Sequence, residues 1–129
     1  GDAARLPFQD GAFRWVQLRE VIEHVERPRG AALLSELRRV LVPEGTLRLT
    51  TPNRLKYAAP SRQIGRAWAG LSGRSDDPAH VHEYWPWELR RQVREAGFDI
   101  DSFRYRAPNR YVPLQCISAG IDIRATRAP

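Results

Sequence analysis

Two short runs patterned as strands flank one patterned as a helix, and this arrangement limits the fold more than any other feature. Phe13-Arg14-Trp15-Val16-Gln17-Leu18 is rich in β-formers and alternates. Thr46-Leu47-Arg48-Leu49-Thr50-Thr51 does the same and stops at Pro52-Asn53. Between them, Leu33, Leu37, Val40 and Leu41 recur at helical spacing over residues 28–42. Pro28 suits the first turn of that helix, Arg27 falls at its N-cap, and Pro43-Glu44-Gly45 is expected to stop it. Strand, helix, strand is a βαβ unit, so the two strands should be parallel and joined by a right-handed crossover. A parallel sheet must bury its faces under helices, which makes the fold class α/β.

The remaining chain extends this pattern. Residues 1–11 form a polar loop with turn signals at Pro7 and Asp10-Gly11. Residues 54–79 contain Gly, Pro, Ser and Asp around an amphipathic piece at Ile64, Ala67, Trp68 and Leu71, and read as an insertion or lid. Pro86 to Ala96 is a helix carrying Leu89 and Val93, with Gly97 as its stop. Two more strands are expected at Phe98–Tyr105 and Cys116–Ala125. Four strands with helices between them predict a sheet covered on both faces. Only two long helices are visible, and none precedes the first strand. The chain therefore reads as the carboxyl-terminal part of a larger α/β domain.

Composition removes several classes. At 129 residues the chain is one domain's worth. The single Cys116 excludes a disulfide framework and a multi-thiolate zinc site. No apolar run approaches the ~20 residues that span a bilayer, and a cytoplasmic location is expected. The charge is +6, from 21 Lys+Arg against 15 Asp+Glu, and every cation but Lys56 is arginine. Such an excess can mark nucleic-acid binding. Here the arginines are dispersed and often sit beside acids, as in Arg19-Glu20, Glu26-Arg27 and Arg94-Glu95, so charge alone does not favour that partner.

In open parallel sheets, ligands bind at the carboxyl ends of the strands. Arg19-Glu20-Val21-Ile22-Glu23-His24 follows the first strand, and Thr50-Thr51-Pro52-Asn53-Arg54 ends the second, on the same edge. A helical turn over 20–24 would put Glu20, Glu23 and His24 on one face. That group could bind a divalent metal, act as a general base with its orienting acid, or be a solvated, self-neutralising turn. His80 or His82, in His80-Val81-His82-Glu83-Tyr84-Trp85-Pro86-Trp87, could complete a metal site or fix the loop before the helix. Trp85 and Trp87 then read as core anchors. Cys116, with no basic neighbour, reads as an inert core thiol.

Taken in order, GDAARLPF, FRWVQLREVIEHV, LLSELRRVLVPEGTLRLTTPNR and HVHEYWPWELRRQVREAGF resemble class I S-adenosylmethionine-dependent methyltransferases. The resemblance covers residues 1 to about 100. It implies a Rossmann-like fold, of which this chain would hold the last four strands of a mostly parallel seven-stranded sheet, the last strand antiparallel. It implies that Asp2 hydrogen-bonds the cofactor's adenine with Ala3 behind the ring, and that Arg19 and Glu20 lie beside its methionine. Residues 50–54, Asn53 among them, match the opposite wall. Tyr57 and His80 join Asn53 as candidates on the acceptor side.

EVIEHV with TTPNR is most similar to ubiquinone-pathway-like O-methyltransferases and to RNA 3′-terminal 2′-O-methyltransferases. In the latter such a motif binds a divalent metal, which makes Glu20, Glu23, His24 and His80 candidate ligands by analogy. Two family features lie outside this sequence: the Gly-rich loop after the first strand, and the acid that holds the cofactor's ribose. Arg14 stands where the family usually has Asp, and Glu44 where its turn has Gly. The expected activity is methyl transfer to a small-molecule or lipid-like hydroxyl, with Glu20, Glu23 or His24 taking the proton. The alternatives are a metal-dependent RNA methyltransferase and a non-catalytic Rossmann-like interaction module.

Overall fold

The computed structural model describes residues 5–54, 84–106 and 120–129. Strand β1 (Phe13–Arg19) leads through a 3-10 turn (Ile22–His24) into helix α1 (Arg27–Val40), and strand β2 (Leu41–Pro52) follows at once. Helix α2 (Pro86–Glu95), strand β3 (Phe98–Arg106) and strand β4 (Gly120–Arg127) complete the described elements. The strand order is β1-β2-β4-β3. β1 and β2 are parallel, as the βαβ reading requires, and β4 runs antiparallel to both β2 and β3.

Residue alternation assigns the faces. Val16 and Leu18 stand beside Leu47 and Leu49, which stand opposite Ala125 and Ile123. These side chains share one face with α1 and α2 and build one core with Leu33, Leu34, Leu37, Leu89, Val93 and Phe98. The opposite face carries Trp15, Gln17, Arg48 and Arg124, and Trp15 is 54% exposed. The expectation of a sheet covered on both faces is therefore not met among the described residues. The topology gives the reason: β1, β2 and β3 run parallel and step across the sheet in one direction. Right-handed crossovers taken in one direction place both helices on the same side.

Three local expectations shift. Pro43-Glu44-Gly45 does not end α1, which stops at Val40; it lies inside β2 as an irregularity against Phe13–Trp15. There Glu44 has a φ of 62°, and a Cβ on Gly45 would lie 2.8 Å from the Val42 carbonyl oxygen. The helix starts one residue earlier than expected: Glu26 holds the N-cap position, and Arg27 and Pro28 open the first turn. The last strand is described over Gly120–Arg127 and runs past the expected end at Ala125, while Cys116 lies outside the described residues. At the end of α2, Gly97 adopts a φ of 83°, the left-handed stop that glycine favours. Among the described residues no helix is long and apolar enough to cross a membrane.

Candidate functional site at the carboxyl edge

The parallel pair β1–β2 brings Arg19 and Thr50 side by side at its carboxyl end. The chain then turns sharply. Glu20 has a φ of 48° and its amide donates to the Thr50 carbonyl at 2.9 Å. A side chain in this left-handed region stores about 1–2 kcal/mol of strain, and such residues cluster at functional sites.

That turn redistributes the three residues expected on one face. Glu20 stands outside the 3-10 turn, and its carboxylate meets Arg106 of β3 at 3.2 Å. Glu23 points inward, fully buried, and its Oε2 accepts from the Thr51 hydroxyl at 2.9 Å. His24 is exposed. Among the described residues no group of three or more His, Cys, Asp or Glu could hold a metal. The physical cause is the left-handed Glu20, which breaks the helical register that i, i+3, i+4 spacing needs. His80, Asp2, Ala3, Tyr57, His82 and most of the 54–79 segment lie outside the described residues.

Burial dominates the electrostatics of Glu23. It raises the carboxyl above the usual carboxylate range, against the opposing pull of a backbone hydrogen bond and the Thr51 hydroxyl. Its Oε1 and the Thr50 hydroxyl are both buried without a hydrogen-bond partner. Asn53, fully buried, pairs with Tyr84 in a parallel bridge, and the Arg54 amide donates to the Tyr84 carbonyl at 3.2 Å. Burial, then the Glu88 carboxylate, pushes the Tyr84 phenol up to about 12. Its hydroxyl enters α1 where Gly30 leaves room; a Cβ there would sit 2.6 Å from it.

Sequence reasoning thus brought Arg19, Glu20, Glu23 and Asn53 to one edge. It missed Arg106, whose pairing with Glu20 spans 86 positions and leaves no local signal. It also misplaced Trp87, which is 61% exposed rather than a core anchor. The signal was present: Pro86 opens α2, and the buried stripe of that helix runs through Leu89 and Val93, away from Trp87.

Comparison with known proteins establishes the family. The methyltransferase domain family model matches residues 2–102. The chain belongs to that family. A relative from Mycolicibacterium smegmatis, named "Probable S-adenosylmethionine-dependent methyltransferase", is 32% identical over 101 residues, 78% of this chain and 34% of its own length. A Methanosarcina mazei S-adenosylmethionine-dependent methyltransferase structure superposes with a TM-score of 0.69 at 20% identity, covering 99% of this chain and 65% of that one. The [4+2]-cyclase SpnF superposes with a TM-score of 0.66 at 18% identity, covering 99% of this chain and 54% of that one. At such identities the two structures establish the fold alone, and in SpnF that fold carries a cyclase. The chain spans about a third of the curated relative's length. Within the Rossmann-like methyltransferase fold, antiparallel β4 between β2 and β3 supplies the reversed last strand that the resemblance implies.

Proposed function

We propose that a protein containing this chain transfers a methyl group from S-adenosylmethionine to a hydroxyl on a small-molecule acceptor, in the cytoplasm. The observation that carries this reading is the Glu20 turn, a left-handed carboxylate-bearing residue where the parallel strands end. Family membership implies the cofactor, and the described residues suit one side of it. The half-exposed Glu20 carboxylate, paired with Arg106 at the surface, can exchange that partner for a cationic ligand. When bound, the cofactor supplies an electrophilic methyl on a sulfonium.

The chain's own residues position and deprotonate. Glu20 and the exposed His24 are the groups able to take the acceptor's proton. Glu23, buried, touches no acceptor; it ties the turn to β2 through Thr51 and acts as a positioning residue. Asn53, bridged to Tyr84, forms the opposite wall. Holding acceptor and donor in line supplies much of the rate in such a displacement. The metal-dependent RNA reading has less support, because among the described residues no group of three or more His, Cys, Asp or Glu could hold a metal.

The test is calorimetric titration of S-adenosylhomocysteine into the full-length protein, followed by transfer of labelled methyl to a panel of hydroxyl compounds. Binding with transfer that falls about 10²-fold or more in Glu20→Gln is expected. Absence of binding would overturn the reading.

A further inference from the structure

Trp85 and Trp87 stack nearly parallel, with ring centroids 4.9 Å apart and planes 14° from each other. The Arg54 guanidinium lies over the Trp85 ring, 5.0 Å from its centroid. One face of Trp87 is thus taken, yet the residue is 61% exposed. The pair lines a cleft of about 250 Å³ together with Arg27, Glu88 and Arg91. Arg27 and Glu88 are joined at 2.6 Å, with the carboxylate nearly buried. The lining carries two arginines against one carboxylate, so it is net positive. Trp85, in the lining, directly follows Tyr84 of the Asn53–Tyr84 bridge.

We infer that the outer face of Trp87 binds a small planar aromatic ring whose anionic substituent is held by Arg91. The chemistry follows from the parts. A tryptophan already stacked on one side offers its other face to a planar ring, at little entropic cost because its partner holds it in place. A guanidinium one helical turn further along α2, at i+4, presents a fork suited to a carboxylate or phosphate. Its bond to Glu95 is long, 3.6 Å between exposed groups, and competes weakly. The concave lining suits a small ligand better than a flat surface. This inference concerns binding and does not depend on methyl transfer.

The probe is naphthoate, titrated by calorimetry into the chain without cofactor. Naphthoate is expected to bind, at least about tenfold more weakly in Trp87→Ala. Trp87→Phe should recover most of the affinity, and Arg91→Gln should lose several-fold. Methyl naphthoate, with the same ring and no charge, should bind more weakly than the acid. Unchanged melting of the Trp87 variants, expected for an exposed site, controls for folding, and recovery by Trp87→Phe separates stacking from structure. Tighter binding of naphthyl phosphate than of naphthoate would assign the anion as a phosphate, and weaker binding would assign it as a carboxylate; both support the site. No naphthoate binding, or equal binding by Trp87→Ala, would overturn it. So would Trp87-dependent sedimentation with phosphatidylglycerol vesicles that naphthoate does not reverse.

Discussion

The Glu23 carboxylate, fully buried, accepts a hydrogen bond from the Thr51 hydroxyl at 2.9 Å and so ties the turn after β1 to the end of β2. Its other oxygen is buried without a partner. A buried carboxyl in this state favours its neutral form, which makes the link sensitive to pH. The folded pKa lies above the unfolded one, so the native state binds more protons in the window between them. This group's contribution to stability is therefore greatest below the unfolded pKa and falls as pH rises through the folded value. Glu23→Gln should flatten that slope in denaturant melts taken across a series of pH values. An unchanged slope in the variant would refute the assignment. Thr51→Val, which removes the hydroxyl donor from a buried carboxyl, should cost about 1–3 kcal/mol.

Gly30 is spared a side chain because the Tyr84 hydroxyl occupies the space, 2.6 Å from where a Cβ would lie. Alanine in a helix interior normally gains about 1 kcal/mol over glycine. Here overpacking, typically 1–3 kcal/mol, reverses the sign. Gly30→Ala should lower stability by about 1 kcal/mol in thermal or chemical melts. Gly30→Ala combined with Tyr84→Phe should recover part of that loss, since the phenyl ring withdraws the clashing oxygen.

Glu20 combines left-handed backbone strain with an ion pair to Arg106. The two separate by substitution. Glu20→Ala keeps the strain and loses the pair; Glu20→Gly loses the pair and relieves the strain. The glycine variant should be the more stable of the two by about 1 kcal/mol. Equal stabilities would mean that the turn relaxes when Arg106 lets go.

Glu36 organises the segment ahead of β1. Its Oε1 accepts from the Leu6 amide at 2.8 Å, while Arg39 reaches Glu36, Asp10 and the Leu6 carbonyl. The Arg39 guanidinium holds the Glu36 carboxyl down at about 2. A depressed carboxylate stabilises the fold above its unfolded pKa and loses that contribution as pH falls through its folded value. The Leu6 amide chemical shift should therefore titrate with a midpoint near 2, and Glu36→Gln should abolish that titration.

Much of the edge was legible because its determinants are local. Alternation located β1 and β2, and helical spacing located α1 and α2. A βαβ order placed Arg19-Glu20 and Thr50–Asn53 at one end of parallel strands. The grouping of Glu20, Glu23 and His24 failed because spacing presumes a regular helix, and one residue at φ 48° breaks it. Trp87 failed because hydrophobicity alone does not say which way a helix faces.

By itself, then, the sequence determined the α/β class, the strand and helix positions within a few residues, and the residues delivered to the carboxyl edge. These follow from periodicity and turn chemistry, which act over a few positions. Only the tertiary structure decided that β4 inserts between β2 and β3, that Arg106 reaches Glu20, that Glu23 turns inward to Thr51, and that Trp87 stacks on Trp85 in the open. Strand pairing and side-chain partnership join residues far apart in the chain. Their energies depend on burial and distance, which no local pattern encodes.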